Sequence, residues 1–521
     1  MSLINQSINE NNNFNLNENN SNVVLKDSKI ATLPTYCLIL TLIAVIGGLE
    51  NGLNFGITNI PEQTIRNCTN GYNNNNGSKI SDCLPMNDLL WGFAVGSVSL
   101  GGLIGGISAG YFQTRFGRKK ALTFNTIFWV IGGVLISASI NPTMFIIGRI
   151  ISGIGCGVGT VVIPTYIVEI STIKLRGSLG SAYQLSVITG IVLIQLVGLP
   201  LSYVPGWRIL FAVSTIPAIL QLILASIIGV ETPRYLISQN RIEEAKMILQ
   251  KLRKGYNIDS EFEEIVRGQN KLKEEKIVQG QIKFEEKKIE NLKIETIEIE
   301  KANPQIEKVE IEINEVFEVR KSFTVFELLK DPYCRKMMVI LLVIHSTQQL
   351  SGIQGIVLYS TAIFTDAFGN AAKYATISVG IAILIFTFLS TLSFDKIGRR
   401  PLLLSSLFGI SLSSVLIVIG SIYKNNILVI FAVLLFVGTF GIALGSLPFF
   451  ITSEVLPTHS LSVGSSICLG INWFCNFLVG LVFPVMKNSL QDYTFLVFAG
   501  ITFASLIFNW FYFSEASINN L

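Results

Sequence analysis

The sequence predicts an all-α integral membrane protein with twelve transmembrane helices in two groups of six. Half of its 521 residues are hydrophobic and only 14% are charged, which would leave a soluble protein with too much exposed apolar surface. Apolar stretches of about 20 residues, long enough to cross a ~30 Å hydrocarbon layer as a helix, recur along the chain. A densely charged segment, residues 230–335, divides these stretches six and six.

The predicted spans are runs of mainly apolar residues bounded by polar or charged ones. Their ranges are 34–58, 89–113, 120–140, 143–168, 178–202, 208–229, 336–364, 372–394, 401–422, 427–452, 460–485 and 493–514. The predicted domains are 1–33 (a disordered Asn-rich tail), 34–229 (first six-helix bundle), 230–335 (charged segment with helices), 336–514 (second six-helix bundle) and 515–521 (short tail). The first tail has no signal-peptide pattern, so the first span would act as an uncleaved insertion signal.

The loops predict an orientation. Residues 59–88 contain glycosylation sequons at Asn67 and Asn76, which would place this loop outside the cell. The short loops after the second, fourth and eighth spans carry clusters of Lys and Arg and fall on the opposite side. Because basic short loops stay in the cytosol, we expect both chain termini and residues 230–335 to be cytosolic.

Cysteine spacing indicates no metal site. Cys68 and Cys83 share the first large loop, where they form either a disulfide, if the compartment is oxidising, or two free thiols. The cysteines within the spans are expected to pack as small apolar residues. We therefore expect no bound metal.

The charged segment, residues 230–335, mixes acidic and basic residues around scattered Ile and Val. This composition is typical of solvated helix and linker. A docking site for a cytosolic partner is the alternative, although no residue identifies that partner.

The two halves of the chain repeat a pattern. "TRFGRKK" follows the second span and "DKIGRR" follows the eighth, while Glu169 and Glu454 each close a span that contains a proline. A duplicated six-span unit is typical of transporters built from two bundles around a site at the membrane midplane.

Eight motifs then occur in order: "RFGRKK", "GRIISGIGCG", "PTYIVEIS…LRGSLG", "ETPRYL", "QQLSGI", "DKIGRR", "LPFFITSEVLP" and "NWFCNFLVG". With them the chain resembles the sugar porter family of the major facilitator superfamily, close to the animal facilitative glucose transporters, over about residues 34–257 and 325–512. The resemblance implies the major facilitator fold, in which two six-helix domains rock about a central sugar site. It also implies transport of a hexose such as glucose across the plasma membrane, without a cofactor.

Neutral amides stand where only apolar residues are expected, in "QQLSGIQGIVLYS" from Gln348 onward. A sugar carries uncharged donors and acceptors, which an amide matches and a buried charge does not. Gln348, Gln349 and His345 fall on one helical stripe, whereas Gln354 is turned away by over ~100° unless the helix breaks at Gly352. Sugar binding by these glutamines is the prediction, and hydrogen bonding to a neighbouring helix alone is the alternative.

The resemblance implies further substrate-binding residues in other spans. They are Gln184 with the apolar Val187 and Ile191 in the fifth span, Phe440 and Phe449 as aromatic wall in the tenth, and Asn476 and Trp473 in the eleventh. A lone Trp can equally serve packing.

Some positions depart from the family pattern. Ile383 and Gly441 stand where the family has polar residues, and Gln354 replaces an asparagine. "HST" replaces "QLS" from His345 onward, so the preferred hexose stays open. His345 is interpreted as a hydrogen-bonded pore-lining residue or, alternatively, as a pH-sensitive one.

Asn54 favours facilitated diffusion over proton coupling. Proton-coupled relatives place an aspartate at this position of the first span, and an asparagine cannot take up and release a proton near neutral pH. Glu50 is the acid nearby, and its simplest role is a polar partner to a neighbouring helix. Proton-coupled sugar or polyol symport is the alternative.

Charged residues at helix ends are predicted to form gating salt bridges on the cytoplasmic side. We expect them to pair when the carrier faces outward and to separate when it faces inward, unless they only anchor helices at headgroups. They are Arg115, Arg118, Arg149, Glu169, Arg176, Glu231, Arg234, Asp395, Arg399, Arg400 and Glu454.

Other classes are less well supported. A non-transporting sugar sensor would use residues 230–335 for signalling, but retention of both charge sets favours a working gate. No nucleophile–base pair or phosphate loop indicates an enzyme. The expected partners are therefore a small sugar and the lipid bilayer, and no nucleic acid.

Overall fold

A computed structural model describes residues 34–66, 81–172, 175–254, 256–270, 325–393 and 398–513. The predictions for Asn67, Asn76, Cys68 and Asp395, for both tails and for most of the charged segment lie outside these residues.

Each of the first six predicted spans is helical. They are α1 (Thr35–Gly56), α2 (Asp88–Phe116), α3 (Arg118–Ser137), α4 (Pro142–Ile170), α5 (Arg176–Leu201) and α6, which is divided into α6a (Gly206–Val213) and α6b (Ile216–Ile227). A short helix, Glu62–Arg66, lies between α1 and α2, and two more, Pro233–Ser238 and Ile242–Leu252, follow α6b.

The last six predicted spans are helical as well. They are α7, divided into α7a (Pro332–Leu350) and α7b (Ile353–Phe368), α8 (Ala372–Ser393), α9 (Arg399–Ile422), α10, divided into α10a (Asn426–Thr439) and α10b (Leu447–Val455), α11 (Thr458–Leu490) and α12 (Thr494–Tyr512). A short helix, Val325–Lys330, precedes α7a, and a π-helical turn, Phe440–Leu444, separates the two parts of α10.

Ten helical stretches among the described residues are long and apolar enough to cross a membrane. One of them, Val463–Tyr512, runs through both α11 and α12, and the broken helix α7 is not among the ten. The chain is therefore a multi-pass membrane protein of helices, while twelve crossings stay a prediction. We call the end of the helices next to residues 57–61 the outer side and the end next to Arg118 the inner side.

Helices α2 and α4 pack backbone against backbone. A methyl group built on Gly153 would overlap the carbonyl oxygen of Val98, and one on Gly157 would overlap that of Gly102. Small residues allow such close approach, and dispersion between the two backbones then holds the helices together. The glycines that the sequence places four residues apart thus form a structural seam within the first bundle.

Helix α6 is broken at Ser214–Thr215, and a buried acid caps its second part. Glu50 of α1 is 1% exposed and its Oε1 accepts a hydrogen bond of 2.8 Å from the backbone N–H of Ala218 at the start of α6b. Since the first N–H groups of a helix lack intrahelical partners, this carboxyl group satisfies one of them. Glu50 is therefore the polar partner to a neighbouring helix that the sequence analysis describes.

The short inner helices are fastened to the first bundle by Arg253, which is 1% exposed. Its guanidinium donates to the carbonyl oxygens of Ile170 (2.8 Å) and Ser171 (3.0 Å) at the end of α4. Glu261 pairs with the same group at 2.8 and 2.9 Å. A buried arginine with both carbonyl and carboxylate partners is well compensated, so Arg253 and Glu261 are held against the end of α4.

The two bundles are joined at the outer side. The side-chain amide of Asn59 donates to the carbonyl oxygen of Val357 (2.7 Å) and accepts from the backbone N–H of Thr361 (3.0 Å), both on α7b. Lys373 of α8 donates to Ser202, next to the end of α5, at 2.5 Å. These bonds close the space between the bundles toward the outer side.

Candidate substrate-binding site

Buried amides of α7a and α11 form a hydrogen-bonded network. Asn472 donates to Gln348 Oε1 at 2.6 Å and to the carbonyl oxygen of His345 at 3.3 Å. Gln349 donates to Asn472 Oδ1 at 3.0 Å, and Gln348 donates to the carbonyl oxygen of Gly445 at 2.7 Å. Because each amide both donates and accepts, the network places neutral groups in the bundle interior without any charge.

The break in α7 brings Gln354 into this network. Gly352 adopts a left-handed conformation (φ 95°), which ends α7a and lets α7b restart at Ile353. Gln354 then donates to Gln349 Oε1 at 3.0 Å, and Asn476 of α11 donates to the same oxygen at 3.3 Å. A straight helix would direct Gln354 away from Gln349, as the sequence analysis states.

The network reaches the first bundle through the hydroxyl group of Ser99. Ser99 of α2 donates to Asn476 Oδ1 at 2.8 Å. One turn away on α11, Trp473 packs over Gly102 and stacks on Phe55 of α1, with ring centroids 6.1 Å apart. The amides and the indole therefore lie where the two bundles meet, although Trp473 also has the packing role that the sequence analysis allows.

Three buried polar atoms at this network have no hydrogen-bond partner among the described residues. They are Gln354 Oε1, an acceptor, Trp473 Nε1, a donor, and Nδ1 of His345. Unpaired buried polar groups cost free energy, so a ligand that supplies both a donor and an acceptor would be stabilised here.

Aromatic residues flank the network on α10. Phe449 is 43% exposed and contacts the ring of His345 edge-on, with centroids 5.2 Å apart. Phe440 begins the π-helical turn and is half-buried. His345 is 1% exposed and its Nε2 lies 2.9 Å from the hydroxyl oxygen of Thr452. It is thus a buried, hydrogen-bonded residue between α7a and α10b rather than one that lines an open pore.

Helix α5 contributes the remaining predicted binding residues. Gln184 and Val187 are half-buried and Ile191 is buried. The backbone of Val187 and Ile191 lies directly against Gly52 of α1, so this part of α5 is held close to α1. The structure places these three on the first bundle and the amide network on the second.

Asn472 and Ser99 take part in the network but are not among the residues predicted from the sequence. Asn472 stands four residues before Asn476, and residues at this spacing share one face of a helix. That spacing within "NWFCN" could have identified Asn472, whereas nothing in the sequence around Ser99 indicates its contact. The two departures from the family pattern, Ile383 and Gly441, are both buried and add no polar group to the network.

On the inner side, Arg118 and Glu169 form an ion pair within the first bundle. Arg118 donates to Glu169 Oε1 from two nitrogens, at 2.9 and 3.2 Å, and the Thr232 hydroxyl donates to the other carboxylate oxygen at 2.5 Å. Glu231 accepts from the backbone N–H of Arg118 at 2.8 Å, and burial raises the pKa of this carboxyl group. The pair therefore ties α3, α4 and the segment after α6b together.

The second bundle repeats this arrangement. Arg399 at the start of α9 lies 3.0 Å from Glu454 at the end of α10b. Both ion pairs are formed in a structure whose bundles are joined at the outer side. Each pair lies within one bundle, and rocking of two rigid bundles need not stretch a contact inside either, so the separation of these pairs during transport stays a prediction.

The predicted position of Arg149 is wrong. It lies two turns from the start of α4, at the outer end of the helix, and not at the cytoplasmic helix ends. It is fully buried and donates to the carbonyl oxygens of Asn54 (2.7 Å) and Val95 (3.3 Å), so it ties α4 to α1 and α2.

The other predicted gate residues occupy varied positions. Arg400 donates to the carbonyl oxygen of Trp510 at 2.7 Å, and the carbonyl oxygen of Arg115 accepts from the Tyr235 hydroxyl at 3.3 Å. Arg234 is half-buried in the short helix after α6b. Arg176 begins α5, and its side chain lies outside the described part. A gating role for all of these residues stays a prediction.

We expect Arg118→Ala and Glu169→Ala to lower the transport rate at least about ten-fold while the amount of carrier in the membrane falls much less. Each change leaves a largely buried charge without its partner, because the Arg118 and Glu169 side chains are only 18% and 8% exposed. Initial uptake rates, normalised to the amount of folded carrier, measure the effect. The exposed ion pair Arg241–Glu244 supplies the control, since Arg241→Ala should change neither quantity. Normal uptake by both the Arg118→Ala and the Glu169→Ala carrier would refute a role of this ion pair in transport.

Cys83 is disulfide-bonded, and five other cysteines among the described residues are free and buried. Cys68 lies outside the described residues, so the pairing of Cys68 with Cys83 stays a prediction.

Membrane-spanning helices on either side of a buried set of neutral amides indicate a membrane transporter of the major facilitator fold. Solved structures support this fold. The partially occluded inward-open xylose transporter XylE from E. coli is 23% identical with a TM-score of 0.69, covering 92% of this chain and 98% of that chain. A D-xylose–proton symporter structure is also 23% identical, with a TM-score of 0.65, covering 92% and 99%.

The chain belongs to the sugar transporter family. The family model described as "Sugar (and other) transporter" matches residues 40–294 and 284–521. The facilitated glucose transporter member 3 of solute carrier family 2 from Oryctolagus cuniculus is 33% identical, covering 91% of this chain and 89% of its own length. The Homo sapiens protein of the same name is 31% identical, with coverages of 90% and 87%. The chain is thus a transporter and not an enzyme.

Proposed function

We propose that this carrier moves a hexose, with glucose as the first candidate, down its concentration gradient by alternating access. The observation that carries the proposal is the amide network of Gln348, Gln349, Gln354, Asn472 and Asn476 at the meeting of the two bundles. The relatives named as facilitated glucose transporters support glucose as the first sugar to test. Family resemblance and the basic inner loops favour a plasma-membrane location with both termini in the cytosol.

The site suits weak binding of an uncharged polyhydroxyl compound. Sugar hydroxyl groups would donate to Gln354 Oε1 and accept from Trp473 Nε1, atoms that lack partners within the described part of the chain. Each such bond contributes about 0.5–1.5 kcal/mol, and millimolar affinity needs only about 4 kcal/mol. Phe449 and the Trp473 ring would add apolar contact with the sugar's C–H face. Weak binding lets the carrier release its sugar on the other side.

Facilitated diffusion is favoured over proton coupling by the chemistry of α1. Asn54 is neutral, and Glu50 is used to cap α6b. Sugar uptake driven by an acid-outside gradient alone, with equal sugar on both sides, would instead support the symport alternative.

Reconstituted carrier tests the proposal. We expect vesicles containing the full chain to take up labelled glucose with saturation at millimolar concentrations and to show counterflow against unlabelled glucose. A competition panel of fructose, galactose, xylose and inositol would then rank the substrates. A protein that binds glucose but gives no counterflow would be a sensor, and one that transports a panel sugar but not glucose would change the proposed substrate.

A further inference from the structure

A cluster of charged and polar residues spans the two bundles at the outer side. Arg66 of the short helix after α1 pairs with Glu62 at 3.0 Å and with Asp88 at the start of α2 at 2.6 Å. The other oxygen of Asp88 accepts a hydrogen bond from Asn488 of α11. Next to Asn488, Lys487 donates to the carbonyl oxygen of Ala362 on α7b. We call Glu62, Arg66, Asp88, Lys487 and Asn488 the outer cluster.

The outer cluster differs from an ordinary surface ion pair in its burial. Glu62 is only 3% exposed, and its Oε2 atom and the Nε atom of Arg66 are buried without hydrogen-bond partners among the described residues. Asp88 remains partly exposed and Asn488 is exposed. Arg66 therefore bridges the buried carboxylate of Glu62 and the half-exposed carboxylate of Asp88. Asp88 makes the contact with the second bundle.

The arrangement depends on the closed outer side. Glu62, Arg66 and Asp88 belong to the first bundle, whereas Lys487 and Asn488 belong to the second, so separating the outer ends must break the Asp88–Asn488 contact. It must also admit water to Glu62. The amide of Asn59, which binds α7b nearby, would be released by the same movement.

We propose that the outer cluster is a latch that holds the outer gate closed, and that protonation of Glu62 strengthens this latch. In this latch, Arg66 holds the Asp88 carboxylate in position to accept the hydrogen bond from Asn488. The inference rests on alternating access in the proposed function, but it concerns a contact at the outer rim rather than the sugar site.

The direction of the pH effect follows from the burial of Glu62. Burial raises the pKa of Glu62 to about 7, although the charges of Arg66 and Lys487 lower it and that of Asp88 raises it. Tyr359 of α7b also interacts electrostatically with Glu62, while its hydroxyl donates to the carbonyl oxygen of Gly480 at 2.8 Å. When the outer gate is open, water would solvate the Glu62 carboxylate and return its pKa toward the ordinary value near 4.3. The closed state then binds the proton more tightly, so lowering the pH through about 7 favours closure.

The test measures the distance between the outer ends of the bundles and needs no sugar. Spin labels would be attached at Tyr203→Cys, at the outer end of the first bundle, and Tyr423→Cys, at that of the second, both of which are exposed positions. The five free cysteines would be replaced in the full-length carrier. Double electron–electron resonance in lipid nanodiscs then gives the distribution of distances between the two spin labels, and thus the open and closed populations.

We expect Asn488→Ala to increase the population with the longer, outer-open distance at least about three-fold, and Asn488→Asp to increase it further because it places a second carboxylate against Asp88. Asp492→Asn, a charge change at an exposed outer residue of the second bundle, should leave the distribution unchanged. If neither substitution at Asn488 lengthens the distance, the latch does not exist.

From about pH 8 to about pH 6 the closed-to-open ratio should rise roughly five- to ten-fold. Glu62→Gln should remove this response and keep the carrier in the closed population at both pH values. A response that survives in Glu62→Gln would refute the role of Glu62. Because the readout is structural, loss of glucose transport would contradict the proposed function without affecting this result.

Discussion

Replacing Gln348 and Gln349 together by leucine should abolish saturable sugar transport while the carrier still folds. The side chain of Gln349 takes part in three hydrogen bonds and that of Gln348 in two more. The double substitution therefore removes most of the network. Loss of only two bonds to a sugar, at about 0.5–1.5 kcal/mol each, would weaken binding roughly five- to one-hundred-fold. Leucine is apolar and close to glutamine in volume, so the packing of α7a is largely kept.

Zero-trans uptake over a wide range of glucose concentrations measures this effect. Gln250→Leu, the same change at an exposed residue of an inner helix, is the control and should transport normally. Replacing Gln184 by leucine together with Gln348 extends the test to α5. If the double variant Gln348→Leu/Gln349→Leu carries glucose with unchanged rate and half-saturation, the amides bind only neighbouring helices and the proposed site is wrong.

Gly153→Leu should prevent folding of the first bundle. Its added side chain would have to displace the backbone of α2 at Val98, and backbone cannot give way as the end of a flexible side chain can. Overpacking of a well-packed core already costs about 1–3 kcal/mol, and a clash with backbone costs more. We therefore expect almost no folded carrier at the cell surface.

Fluorescence-detected size exclusion and thermal unfolding measure this outcome. Gly110→Leu is the matched control, since Gly110 lies on α2 as well and a methyl group built there meets no atom within 4 Å. That variant should be produced and should unfold like the parent chain. Equal amounts of folded Gly153→Leu and Gly110→Leu carrier would contradict the tight seam between α2 and α4.

Much of the fold could be predicted from the sequence because each helix is long, apolar and bounded by polar residues. The break in α7 was predictable too, since Gly352 permits a left-handed conformation in an otherwise continuous pattern. The break in α6 was not. There the Ser214 and Thr215 hydroxyls bond to preceding carbonyls at 2.9 and 2.7 Å, a local preference that is common in helices and carries little signal.

The candidate site could be predicted only in part. The paired glutamines were visible as amides in an apolar run, whereas the bond that links Ser99 to Asn476 joins residues 377 positions apart. Contacts between the bundles depend on which side of the carrier is closed, and one sequence serves both states. The ion pairs of Arg118 and Arg399 were predictable as pairs, because each half of the chain repeats the same basic loop followed by a helix that ends in glutamate.

The buried side chain of Arg253 has a practical consequence for splitting this carrier into two co-expressed polypeptides. A first polypeptide that stops at residue 229, where the last span of that half ends, would leave the carbonyl oxygens of Ile170 and Ser171 without their guanidinium partner. A first polypeptide that continues past Glu261 retains Arg253 together with its carbonyl and carboxylate partners. Complementation of transport by separately encoded halves should therefore succeed with the longer first half and fail with the shorter one.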